Sequence, residues 1–221
     1  MLAPIYPSEP LNSLASLSLG QRNVRLFRLR EQLFGTVMNA NSACPECHEG
    51  VEFQLDSQVI CDPNKVHAEQ QQFSLALDES VLSFRLVNSY DLRDIAAIIE
   101  VEGPQSAEYE LIHHCITAFD VNGVRQPTQS LPDDAIPALA QALKDNDPHC
   151  EIICRLTCPE CSHNWPEPFD IVKFLWHELE AKAQIILSEV QLLAKAFGWW
   201  EADILSLSDV RRKFYLDGLN E

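Results

Sequence analysis

Apolar residues recur along this chain with two different periods, and the longest run of either lies near its C-terminal end. Val172, Trp176, Leu179, Ala183, Ile186, Val190, Leu193 and Phe197 are spaced by alternating steps of four and three. That seven-residue repeat predicts one helix of about 28 residues after Pro168, about 40 Å long at 1.5 Å per residue, with a coiled-coil-like seam on one face. Gly198 is its stop. A short helix at Ala202–Leu205 and a last one capped by Ser208 follow.

The N-terminal part is less regular. Residues 1–19 read as an irregular or weakly helical lead with Pro4, Pro7 and Pro10. Val24, Phe27, Leu33 and Phe34 lie at helical spacing, which predicts a helix from Gln21 to Phe34 stopped by Gly35. Val51-Glu-Phe-Gln-Leu55 alternates with period two, so it reads as a half-buried strand, with Ser57–Cys61 as its hairpin partner. Further strands are expected at Phe73–Leu77, Val81–Val87 and Cys150–Leu156. Helices are expected after the Asn88-Ser89 cap, over Ser106–Phe119 and over Pro132–Leu143. Val121-Asn-Gly-Val124 carries a hairpin signal.

The chain of 221 residues carries 16 Lys and Arg against 33 Asp and Glu, a formal net charge of −17. Nucleic acid is bound by neutralising phosphates, so this balance argues against such a partner. It argues equally against an anionic membrane surface, and no apolar run reaches the length of a span. The first residues show no basic stretch followed by an apolar core, hence no signal peptide is expected. Eight cysteines in a chain of this length do not resemble a secreted disulfide framework. The expected setting is a reducing cytoplasm in which thiols bind metal or stay free.

Four of those cysteines form two identical turns, Cys44-Pro-Glu-Cys47 and Cys158-Pro-Glu-Cys161. A two-residue spacer lets one tight turn aim two sulfurs at one ion, and zinc accepts four thiolates in a tetrahedron. The pattern therefore predicts one structural zinc held by Cys44, Cys47, Cys158 and Cys161. Rubredoxin-type iron uses similar turns, and two buried thiol pairs would leave the same sequence, so those readings stay open here. Each turn has a non-glycine residue, His48 or Ser162, where glycine often follows the second cysteine. Cys61, Cys115, Cys150 and Cys154 read as small buried side chains; Cys154, His48 and His163 are the alternative ligands.

Catalytic patterns are absent. There is no nucleophile elbow, phosphate-binding loop or dinucleotide fingerprint. His177-Glu178 begins like a zinc-protease helix, but Ala181 stands at the required second histidine. A closed four-sulfur site keeps no position open for water. The expectation is a protein that is not an enzyme and has no small-molecule substrate, with a zinc-ribbon nucleic-acid or transcription module as the alternative.

With these features placed, a resemblance emerges. The segments Cys158-Pro-Glu-Cys-Ser-His-Asn-Trp-Pro-Glu-Pro-Phe-Asp170, Phe174-Leu-Trp-His-Glu-Leu-Glu180, Phe197-Gly-Trp-Trp-Glu-Ala-Asp-Ile-Leu-Ser-Leu-Ser208 and Arg211-Arg-Lys-Phe-Tyr-Leu216 resemble baseplate-associated proteins of contractile phage tails and phage-tail-like injection systems, the group of the baseplate hub assembly chaperones. Phe84-Arg-Leu-Val-Asn-Ser-Tyr-Asp-Leu92 resembles them too, although the family has Pro-Thr where this chain has Val87-Asn88. The resemblance implies a role in assembling, or as a minor part of, the baseplate, with other tail or baseplate proteins as partners.

The expected fold class is α+β. An N-terminal helical segment (1–40) leads into a discontinuous zinc ribbon (41–61 and 149–168). A mixed helix/strand insertion (62–148) interrupts the ribbon, and a long helix with a helical tail (169–221) follows it. Trp199, Trp200, Ile204, Leu207, Arg211, Arg212, Phe214 and Tyr215 gather aromatic and basic character in that tail, the composition of an interface hot spot, and are the candidate partner-binding residues.

Overall fold

A computed structural model describes residues 2–61, 72–132 and 134–219 and divides the chain into two compact units, Met1–Ile171 and Val172–Glu221. The start of the expected insertion, 62–71, lies outside the described residues.

The first unit opens with α1 (Leu11–Ala15) and α2 (Leu19–Phe34). A capping box sets the start of α2: the Ser18 hydroxyl accepts from the Gln21 N–H, and the Gln21 side chain accepts from the Ser18 N–H. Its end is Gly35 at φ +86°, a conformation costly to any residue with a Cβ. Along its apolar face Val24, Leu26, Phe27 and Leu29 are buried, and Phe27 stacks on Phe169 at 6.1 Å between ring centroids.

Two β-hairpins carry the Cys-Pro-Glu-Cys turns at their tips. β1 (Val37–Ala43) pairs antiparallel with β2 (Gly50–Asp56), from Val37↔Asp56 to Ala43↔Gly50. β7 (Ile152–Thr157) pairs with β8 (Asn164–Phe169), from Ile152↔Phe169 to Thr157↔Asn164. The partner of the Val51–Leu55 strand therefore precedes the first turn rather than following it. Ser57–Ile60 is instead a short helix, α3, because Asp56 accepts from the Gln58 N–H and caps it. The N-terminal helical segment accordingly ends at Phe34, and the first hairpin spans 37–56.

Between the hairpins lies an antiparallel four-stranded sheet in sequence order, β3 (Phe73–Leu77), β4 (Ser80–Phe84), β5 (Ile116–Val121) and β6 (Val124–Arg125). It is accompanied by α4 (Ser89–Glu102), α5 (Pro104–His114) and α6 (Ala135–Asn146). The expected helix over 106–119 stops at His114, because Ile116–Val121 completes the sheet against β4. Asn122 and Gly123, both at positive φ, turn β5 into β6 as the Asn-Gly signal requires. Phe73, Leu82, Phe84, Ile112, Cys115, Phe119, Leu139 and Leu143 form the core of this layer, each large apolar member contributing about 1.5–3 kcal/mol on full burial. Arg85 forks onto Asp91 with two bonds of 2.7 Å and donates to the His114 carbonyl at 2.9 Å, tying β4 to α4 and to the end of α5.

The second unit contains most of α7 (Ile171–Phe197), then α8 (Glu201–Ser206) and α9 (Asp209–Asp217). Within it, Val190, Leu193 and Ile204 make a small core with Ile186, Ala194, Trp199, Tyr215 and Leu216 against it. The C-terminal half of the apolar stripe on α7 is thus covered by the chain's own tail. Gly198 at φ +66° reverses the chain to allow this. Among the described residues no helix is long and apolar enough to cross a membrane.

Candidate metal centre

Each turn is built the same way. The Cys44 N–H donates to the Glu49 carbonyl at 2.9 Å and the His48 N–H to the Cys44 carbonyl at 2.9 Å. In the second turn the Cys158 N–H donates to the His163 carbonyl at 2.9 Å and the Ser162 N–H to the Cys158 carbonyl at 3.0 Å. The residue after each second cysteine is left-handed, His48 at φ 62° and Ser162 at φ 59°. That is the backbone a glycine would adopt without strain, and both turns hold it without one.

This geometry aims four sulfurs at one point. Sγ of Cys44, Cys47, Cys158 and Cys161 all lie within 4.8 Å of one another. Two approaches run between the turns, Cys44–Cys161 at 3.6 Å and Cys47–Cys158 at 3.5 Å. Zinc–sulfur bonds of about 2.3 Å in a tetrahedron put sulfurs about 3.8 Å apart, so the cluster has the dimensions of a four-thiolate site. Cys44 and Cys158 are buried, whereas Cys47 and Cys161 face solvent. Val51, Leu156 and Trp165 pack with the two buried sulfurs, and Phe53 and Cys154 lie against them. Glu167 on β8 accepts from Ser42 of β1 at 2.6 Å and from the Trp165 indole at 3.1 Å, bridging the hairpins beside the sulfurs.

The electrostatics of the donor set favour a cation. Burial pushes the Cys44 thiol up, but the N–H groups of Cys47 and Glu46 and the neighbouring thiols outweigh it and bring the group down to about 6. At Cys47 the Glu49 N–H acts to lower the value, yet burial and the three other thiols carry it up to about 12. Cys161 is also raised: the His163 N–H lowers it, and burial with the thiols of Cys44 and Cys158 prevails. Sulfurs this close resist joint ionisation until a metal supplies the opposing charge.

The remaining cysteines have a different character. Burial pushes Cys61 and Cys115 up to about 12 and Cys150 to about 11, and it raises Cys154 as well. The buried Cys115 thiol donates to the Leu111 carbonyl at 3.4 Å. Neither Cys154 nor either neighbouring histidine joins the sulfur cluster; His163 stacks on Trp165 at 6.2 Å.

The eight tail residues divide. Ile204 is fully buried and Arg212 is 5% exposed. The Arg212 guanidinium donates to Glu189 on α7 at 3.0 Å, to the Leu207 carbonyl at 3.0 Å and to Asp209. Within the chain alone these two hold the tail together and present almost no surface. Trp199 and Tyr215 meet edge to face at 4.9 Å, and Leu207 is half-buried. Trp200, Phe214 and Arg211 are exposed. Sequence reasoning missed Glu167, whose signal is masked by the prolines on either side of it.

Residues 7–176 match the family model described as T4 bacteriophage base plate protein. No curated protein and no solved structure matches the chain. The matched stretch includes both turns and all of the first unit from residue 7, and it ends at Trp176 on α7, before the tail.

Proposed function

The chain belongs to the T4 bacteriophage base plate protein family, and from that premise we propose that it is a non-enzymatic baseplate protein fastened by one structural zinc. It acts in assembling the baseplate of a contractile tail or injection system, or stays as a minor part of it. The observation that carries the metal is the convergence of four sulfurs, from turns 110 residues apart in sequence, within 4.8 Å. Cys44, Cys47, Cys158 and Cys161 would hold the ion, which would close the hairpin at 37–56 onto the hairpin at 152–169 and so fix both ends of the intervening layer. All four positions are then taken by protein, which suits structure and not catalysis.

Two measurements test this. Elemental analysis of protein purified without chelator should find one zinc per chain, and Cys158→Ser should lose it. Iron in its place would overturn the choice of metal, and no metal would overturn the site. Omitting the chain from a cluster that produces contractile tails should yield tubes and sheaths lacking complete baseplates. Intact, contraction-competent particles would overturn the assembly role.

A further inference from the structure

The four sulfurs are not equivalent, and their inequality points to a second chemistry at the same place. Two short contacts cross from one turn to the other: Cys44–Cys161 at 3.6 Å and Cys47–Cys158 at 3.5 Å. Each of those pairs joins one buried cysteine to one exposed cysteine, Cys44 with Cys161 and Cys158 with Cys47. The hairpins beneath are already held together by the Val51, Leu156 and Trp165 cluster and by Glu167. The two turns therefore stay opposed to each other with or without an ion.

We propose that these cysteines are a modification site for peroxides, and that oxidation joins the turns by Cys44–Cys161 and Cys47–Cys158 disulfides. The exposed cysteine reacts first: Cys161 or Cys47 gives up its proton as its sulfur attacks a peroxide oxygen, the O–O bond breaks, and a sulfenic acid forms with loss of water. The buried sulfur of the opposite turn then attacks that sulfenic sulfur, the S–S bond forms at about 2.05 Å, and a second water leaves. For each pair, two thiols are oxidised and one hydrogen peroxide is reduced to two waters. Both pairs together consume two peroxides and release any zinc held there. Cross-turn bonds replace the metal with covalent links between the two hairpins, whereas bonds within each turn would add none. The pairing rests on sulfur positions alone; only the zinc release rests on the metal reading above.

The sequence supplies the assay. Glu46 and Glu160 sit between the two cysteines of their turns, so a protease cleaving after glutamate puts all four cysteines on different peptides. The full chain, as purified, is treated with a small excess of hydrogen peroxide, denatured, blocked with alkylating agent, cleaved and mapped without reduction. Zinc released is measured in the same samples. The expected map links the Cys44 peptide to that of Cys161 and the Cys47 peptide to that of Cys158, with one zinc freed per chain. Cys44–Cys47 and Cys158–Cys161 links, sulfinic or sulfonic acids without disulfides, or unreacted thiols would each overturn the pairing. Cross-turn links in protein that never contained zinc would sink the metal reading and leave the pairing standing. The Cys47→Ser/Cys158→Ser double variant should still form Cys44–Cys161, and failure to do so counts against the proposal.

Discussion

The backbone N–H of Gly20 donates to Oδ2 of Asp147 at 3.0 Å. A carboxylate from the end of α6 thereby caps the first turn of α2, 127 residues earlier in the chain, where the helix dipole favours negative charge. Asn23, one turn along, donates to the His149 carbonyl at 2.9 Å. The segment leading from the insertion back into β7 is thus pinned to α2 by two polar contacts.

Gly20 is glycine because the carboxylate needs its space. A Cβ there would lie 1.8 Å from Asp147 Oδ1, and Asp147 is too buried to swing away. Gly20→Ala should destabilise by about 1–3 kcal/mol, the range of overpacked sites, read as a lower denaturation midpoint at unchanged slope. In an Asp147→Ala background the same change should cost little, and an undiminished cost would show that the clash is not with Asp147.

Asp147 also sets a pH dependence. Burial raises its pKa above the ordinary carboxylate value, against the Gly20 N–H, the Ser18 hydroxyl and the positive charges of His149 and Arg22. A carboxyl raised on folding contributes stability that is present below its unfolded pKa and lost as pH rises through its folded pKa. Relative to Asp147→Asn, the wild-type chain should therefore gain stability as pH falls from 7 towards 4. Parallel stability curves for the two proteins over that range would rule this out.

The left-handed residues of the two turns should tolerate glycine. Ser162 at φ 59° pays the steric cost of that conformation, about 1–2 kcal/mol in general, partly offset by the extra freedom of glycine in the unfolded chain. Ser162→Gly is expected to be neutral or stabilising by up to about 1 kcal/mol with zinc content unchanged. Ser162→Val, branched at Cβ, should destabilise and weaken metal retention under chelator challenge.

The turns were legible because their chemistry is local, whereas their supporting strands were not. Asn39, Asn41 and Ala43 on β1 have low strand propensity, and Pro166 and Pro168 argue against a strand at β8. Both are strands nonetheless, since hairpin pairing with β2 and β7 overrides local preference. The prolines stand two residues apart, so their missing N–H groups fall on one side, the edge away from β7. The Val172–Phe197 repeat located the long helix to its last residue, but the pattern does not say what covers the stripe; the tail covers the part around Val190 and Leu193. No local signal reports a contact such as Gly20 with Asp147, because it is made only when distant segments meet.

Arg212 should behave as a structural residue of the tail. It is nearly buried and donates to Glu189, Leu207 and Asp209. Arg212→Ala should loosen α9, seen as faster amide exchange over 209–217, at a cost of about 1–3 kcal/mol for the charged acceptors left behind. Lysine should rescue little, since one ammonium cannot span three acceptors held by a planar fork. Unchanged exchange over α9 would mean that these bonds do not hold it.

The exposed aromatic residues of the same tail are expected to do something else. Trp200 is 80% exposed and Phe214 73%, while Trp199 and Tyr215 beside them are packed together. Exposing two large rings next to a closed core gives this unit no folding benefit, so their removal should not disturb it. Trp200→Ala/Phe214→Ala should keep the far-ultraviolet circular dichroism and amide protection of the parent and lose co-purification with baseplate proteins. Trp199→Ala should do the reverse at first, freeing α8 and α9 from α7 by opening the core around Leu193 and Ile204. If the double variant binds its partners like the parent, the docking face lies elsewhere. If it loses protection over 201–217, the two rings belong to the core and carry no separate role.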